Sequence, residues 1–206
     1  MMKILFVVFL AVPVAVNAWM DQWAPSFECA PAKVRELPKH SVAGYVKEAH
    51  EGGEFVAEYS SGGALDLNGD GIEDFIFIIP WMGNGLSASG DDVHFLVSNG
   101  KNGRMATIMP GYGCDLKDVV MVGGRPCFRH SAFFGPFEKS NHNHWVFQLF
   151  SFEKDGTMKC ANSRAEKLFP AATIFYENAK FRRVSLTPAD LKAIAKETTP
   201  TSKKYP

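Results

Sequence analysis

Residues 64–80, ALDLNGDGIEDFIFIIP, set three aspartates, one asparagine and two glycines in the nine positions from Asp66 to Asp74, then pass directly into Phe75-Ile-Phe-Ile-Ile79. This junction constrains the fold more than any other stretch. The apolar run is short and apolar on both alternations, so it reads as a strand covered on both faces. The acidic run cannot enter the same core uncompensated, and is expected to turn at the head of that strand with its charges neutralised.

Within the turn, oxygen-bearing side chains fall at relative positions 1, 3, 5 and 9, with glycine at 6, a spacing that wraps a loop around a point. Asp66, Asn68, Asp70 and Asp74 supply the side-chain oxygens. Ile72, at position 7, can offer its carbonyl while its side chain goes inward, and Glu73 should point to solvent. Carboxylates this close repel unless a cation lies among them, and an all-oxygen set selects a hard ion, calcium before magnesium. Zinc and copper would want nitrogen or sulfur. The competing reading is a plain turn built by Asp and Asn. An EF-hand is excluded, because its glutamate position is occupied by Phe77, so the unit reads as strand–loop–strand.

The rest of the chain follows the same alphabet. From residue 54 to about 185, short β-branched and aromatic runs are cut by Gly, Asn and Asp, which predicts antiparallel strands near 54–59, 63–67, 73–79, 93–98, 104–109, 118–123, 127–134, 144–153, 157–162 and 180–185. Ser98–Gly103 and Lys154-Asp155-Gly156 read as hairpin turns. Ser41 caps a short helix over 41–50, and Thr187-Pro188 opens a second over 188–197. Residues 198–206 are expected to be a disordered tail. The fold class is therefore mainly β, a β-rich α+β chain of antiparallel meander sheets resembling propeller-blade or sandwich units, in one domain over residues 19–197.

The stretch Tyr59-Ser-Ser-Gly62 through Asp66-Leu-Asn-Gly-Asp70-Gly-Ile-Glu-Asp74-Phe-Ile-Phe resembles a single FG-GAP (VCBS-like) repeat, the calcium-binding β-unit of integrin-type propellers and of many secreted bacterial proteins. The resemblance covers about twenty residues. It implies Asp66, Asn68, Asp70 and Asp74 as side-chain ligands and Ile72 as a carbonyl ligand for Ca2+. Propellers of that family carry many copies. This chain has one, which points to a small β-sheet domain with one such hairpin.

The first residues, Met-Met-Lys3, an apolar run from Ile4 to Val16 and Val16-Asn17-Ala18, read as a secretory signal over 1–18, too short to span a bilayer. With 22 basic against 22 acidic residues, the chain lacks the field that gathers nucleic acid or anionic lipid, so neither is an expected partner. An oxidising compartment and four cysteines suggest two disulfides, with Cys114–Cys127 and Cys29–Cys160 the favoured pairing of three possible. No pair has the spacing of a zinc site.

Catalytic patterns are thin. His142-Asn-His144 lies at a polar strand start, with His94 and His130 as conceivable co-ligands, and Gly85–Gly90 misses the serine-hydrolase elbow by one position. The loop Pro80–Asp92 carries Trp81, Met82 and Leu86, which could form a contact patch near the acidic turn, with Asp91 or Asp92 completing an ion's shell. Alternatively, Trp81 folds back over the core. The expected function is a secreted or periplasmic calcium-binding module that recognises or inhibits an extracytoplasmic protein or glycan. A hydrolase with a structural calcium and a structural envelope component are the alternatives.

Overall fold

The computed structural model describes residues 30–49, 53–81, 90–100, 103–111, 113–134, 144–161, 172–177, 180–185 and 201–205. In chain order the elements are β1 (Arg35–Glu36), α1 (Lys39–Ala49), α2 (Gly53–Tyr59), β2 (Ser61–Leu65), β3 (Asp74–Pro80), β4 (Asp91–Ser98), β5 (Arg104–Gly111), a 3-10 helix (Leu116–Asp118), β6 (Val119–Val122), β7 (Arg125–Phe134), β8 (His144–Phe152), β9 (Met158–Cys160), β10 (Ala172–Glu177), β11 (Lys180–Ser185) and β12 (Thr201–Tyr205). The molecule is mainly β, with two antiparallel sheets. The first runs β1-β2-β3-β4-β5-β12; the second runs β11-β10-β8-β7-β6, with β9 also paired to β8.

Strand β3 is buried on both faces because the first sheet is a middle layer. Ile76 and Ile78 join Val93, Phe95 and Val97 of β4 and Met109 of β5 against Val119, Phe128, Phe150 and Phe152 of the second sheet. Phe77 and Ile79 point the other way, with Leu96 and Ala106, onto Val42 and Val46 of α1 and Val56 and Ala57 of α2. The period of two along β3 thus feeds two cores, which is why neither alternation in Phe75–Ile79 is polar. Ahead of β1, Ala32 donates to Val119 O at 2.9 Å and Met121 donates to Ala30 O at 2.8 Å, so this segment lies along β6 before β1 joins the other sheet.

Several expectations are corrected here. Residues 54–59, expected as a strand, form α2, since Val56 and Ala57 must both reach the outer core of the first sheet. Ser60 closes that helix, its hydroxyl donating to Val56 O at 2.8 Å. Residues 201–205, expected in a disordered tail, pair with β5 from Thr201↔Ile108 to Tyr205↔Arg104. The run Ala172–Glu177 is a strand outside the runs expected from the sequence. Among the described residues no disulfide is formed. Cys127 stands across from Val120 in the β6–β7 hairpin, and Cys114 lies ahead of the 3-10 helix with its sulfur against Gly111. Cys29, His142, the signal segment and the expected helix over 188–197 lie outside the described residues. No described helix is long and apolar enough to cross a membrane.

The inter-sheet core turns polar toward the Pro80 end of β3. His130, buried on β7, places Nε2 2.6 Å from Pro110 O of β5, and because a carbonyl only accepts, Nε2 carries the ring proton. Burial pushes the His130 pKa down to about 4 from the ordinary 6.5, against the opposing pull of that hydrogen bond.

Two outcomes follow from this packing. Phe95 is fully buried, with its ring 5.1 Å from those of both Phe128 and Phe152. Phe95→Ala should cost about 3–5 kcal/mol in urea denaturation, and a loss under about 1 kcal/mol would place the main core elsewhere. His130 binds a proton more weakly folded than unfolded, so its contribution to stability is complete above pH about 6.5 and is lost as pH falls toward about 4. His130→Phe should flatten that part of the stability–pH curve, and an unchanged slope would contradict the assignment.

Candidate metal centre

The acidic turn is assembled by backbone conformations that only some of its residues tolerate. Gly69 and Gly71 have φ of 74° and 84°, in the left-handed region, and these two reversals curl the chain around the Asp66 side chain. Asp66 Oδ1 accepts from Gly69 N at 2.7 Å and Asp70 N at 3.2 Å, while Oδ2 accepts from Gly71 N at 3.0 Å. Asn68 Oδ1 also accepts from Asp70 N, at 3.1 Å, and Asp70 Oδ1 accepts from Ile72 N at 2.8 Å. Asp66, Asn68 and Asp70 therefore converge on the inside of one bend.

Asn68 also ties the bend to the body of the protein. Its Nδ2 donates to Ser98 O at 2.9 Å, to Lys154 O at 3.4 Å and to Asp70 Oδ2 at 3.3 Å. Ser98 ends β4 in the first sheet and Lys154 lies in the β8–β9 turn of the second, so one amide bridges both sheets. The Ser98 hydroxyl donates to Asp70 Oδ2 as well. Partial burial opposes ionisation of Asp70, yet hydrogen bonds from Ser98, Ile72 N and Asn68 outweigh it and hold its carboxyl below the usual range.

Asp74 is placed differently. It is fully buried at the head of β3, where Oδ2 accepts from Leu67 N at 2.8 Å and Oδ1 accepts from Ser98 N at 2.7 Å. The Arg104 guanidinium reaches 3.6 Å from Oδ1 and stacks 4.6 Å from the centre of the Phe75 ring. Burial drives the Asp74 carboxyl up to about 6 despite those two backbone donors and Arg104. Asp74 is thus the anchor that ties the loop to β3 and β4. Ile72 is corrected too: its side chain is 46% exposed instead of inward, and the apolar anchor of the loop is Leu67, 3% exposed within the inter-sheet core.

Among the described residues no cluster of three or more His, Cys, Asp or Glu groups closes on a single point. The donor set fits a hard cation in part. Asp66 Oδ2, Asn68 Oδ1 and Asp70 Oδ1 each spend one lone pair on a backbone N–H and keep another, while Asp74 Oδ1 is shared between Ser98 N and Arg104. Arg104 and Ser98 were not singled out in the sequence. The turn at Asn99–Gly103, where Asn99 N donates to Gly103 O at 3.0 Å, sets the register Ser98↔Arg104 and delivers both to the loop.

Trp81, of the expected contact patch, lies at the other end of β3. Strand β3 carries the chain about 20 Å from the loop at ~3.3 Å per residue, to the pair Pro80↔Asp91. Trp81 N donates to Gly90 O at 2.7 Å, and the indole lies over Gly90 so closely that a Cβ there would sit 2.6 Å from Cε3. Trp81 is 38% exposed; Met82 and Leu86 lie outside the described residues. Asp91 does not join the acidic loop: its Oδ2 accepts from Cys114 N at 2.9 Å. His94, on the helix-facing side of β4, is buried with Nδ1 2.9 Å from the Tyr45 hydroxyl.

The chain matches no protein-family model, no curated protein and no solved structure. The site therefore stands on its geometry. In chelator, Asp74→Ala leaves two buried N–H groups without an acceptor and should cost about 3 kcal/mol or more, against about 1 kcal/mol for Asp66→Ala at the half-exposed rim. Equal losses in chemical denaturation would contradict the division between anchor and rim.

Proposed function

We propose that the chain is a secreted or periplasmic binding module, stapled by one calcium ion at the Asp66–Asp74 loop, that recognises or inhibits an extracytoplasmic protein or glycan through its Trp81 end. The observation that carries this reading is the bridge made by Asn68, which connects the loop to Ser98 and Lys154 and so to both sheets. An ion held by Asp66, Asn68, Asp70 and the Ile72 carbonyl, with Asp74 beneath, would supply the positive charge that lets these oxygens stay close. This agrees with reading the segment as one FG-GAP-like unit set in a sandwich. Secretion with removal of residues 1–18, and a Cys29–Cys160 link, belong to the same proposal. The exposed Trp81 stands at the opposite end of β3, where a partner can meet a large apolar side chain without disturbing the staple.

The test begins with metal-stripped protein titrated with calcium in a calorimeter. Binding heat and a raised melting temperature are expected, with about 2.7 kcal/mol of stabilisation at a hundredfold excess over Kd, and both should vanish in Asp70→Ala. Absence of heat and of stabilisation in the parent protein would make the loop an ordinary turn. Capture of partners from the native envelope should be lost on Trp81→Ala while calcium stabilisation persists; unchanged capture would place the contact elsewhere.

A further inference from the structure

Two polar atoms in the inter-sheet core have no hydrogen-bond partner among the described residues: His130 Nδ1 and Gln148 Oε1. They belong to residues directly opposite one another in the β7–β8 ladder, His130↔Gln148, so their side chains share one face with Cβ atoms about 5 Å apart. That face is the inner one, because His130 reaches Pro110 O of the first sheet and its ring meets Phe150 edge-on at 5.8 Å between centres. With the Nε2 proton committed to Pro110 O, Nδ1 offers only a lone pair. Gln148 Oε1 also offers only lone pairs. Two buried acceptors on facing residues both lack a donor, and each unsatisfied acceptor costs about 1–3 kcal/mol.

We propose that His130 and Gln148 form a proton-operated latch across the β7–β8 pair of the second sheet: a proton taken from solvent onto Nδ1 is donated to Gln148 Oε1, while Nε2–H keeps its bond to Pro110 O of the first sheet. The protonated ring then joins β5, β7 and β8 through two donors, and both orphaned acceptors are satisfied in one step. No second molecule is needed, since the imidazole supplies both N–H groups. Among the described residues, the surroundings contain little charge that would do the same work. From β5 come Pro110 and Gly111, from β8 Gln148 and Phe150; the nearby titratable groups are Cys114, whose sulfur lies against Gly111, and Asp91, which receives the Cys114 N–H. Asp118 is paired with Arg129 at 2.7 Å. Burial of His130 sets the latch to close only in acid.

The latch is read by following the His130 ring through a pH titration by nuclear magnetic resonance, in the parent protein and in Gln148→Met. If Gln148 accepts from the protonated ring, the variant loses that bond and its His130 pKa falls by about one unit, a tenfold loss of proton affinity. A rise in the variant would overturn the proposal, because it means the Gln148 amide donates to the neutral ring. An unchanged value would overturn it as well, since the two side chains would then not meet or would meet through water that turns to suit either state. Should Gln148→Met fail to fold, Gln148→Asn keeps the polarity, withdraws the carbonyl by one methylene, and is read with the same three outcomes.

Discussion

A carboxylate with no contact to water organises one end of this protein. Asp74 begins β3, and its two oxygens gather Leu67 N from the incoming loop and Ser98 N from the end of β4, with Arg104 of β5 alongside. Taking such a group out of water is costly unless its acceptor sites are filled. Here they are filled by backbone donors from two segments that must therefore arrive together. The curl of the acidic loop, the register of β3 on β4 and the position of the Asn99–Gly103 turn are set by the same few hydrogen bonds.

From that end the sandwich can be followed outward. Because the first sheet lies between helices and the second sheet, β3 has no solvent face, and its only polar residue among Asp74–Ile79 is the one at the head. Asn68 then extends the anchored loop to the β8–β9 turn, linking the two sheets at their loop end. Toward the other end the inter-sheet space takes in His130 and Gln148 beside Phe150, and Trp81 closes over Gly90. The molecule thus has a charged, tightly tied end and an end whose core is polar and whose edge carries an exposed aromatic.

The parts of this plan legible in the sequence are those governed by short-range rules. Phe75–Ile79 announces a doubly covered strand by its lack of alternation, and the glycines of Asn99–Gly103 and Lys154–Gly156 announce hairpins by the backbone they require. Where long-range packing decides, the sequence misleads. Phe55, Ala57 and Tyr59 alternate like a strand, yet two adjacent residues, Val56 and Ala57, had to face one core, which a helix permits. Ile72 looked like the inward residue because it is apolar, but the reversal at Gly71 turns it outward and leaves that place to Leu67. Thr201–Tyr205 reads as a polar tail, and becomes a strand because β5 offers a free edge. The loop's oxygens were legible as a set; their division into half-buried Asp66 and Asp70 and buried Asn68 and Asp74 was not, since burial depends on the strands around them.

The central claim is that Asp74 holds the loop to the sheet through Leu67 N and Ser98 N, and native-state hydrogen exchange of those two amides tests it most directly. Both should exchange only with global unfolding, far more slowly than Gly69 and Gly71 a few residues away, and should lose that protection in Asp74→Ala. Exchange of Leu67 and Ser98 as fast as the rest of the loop in the parent protein would contradict the account.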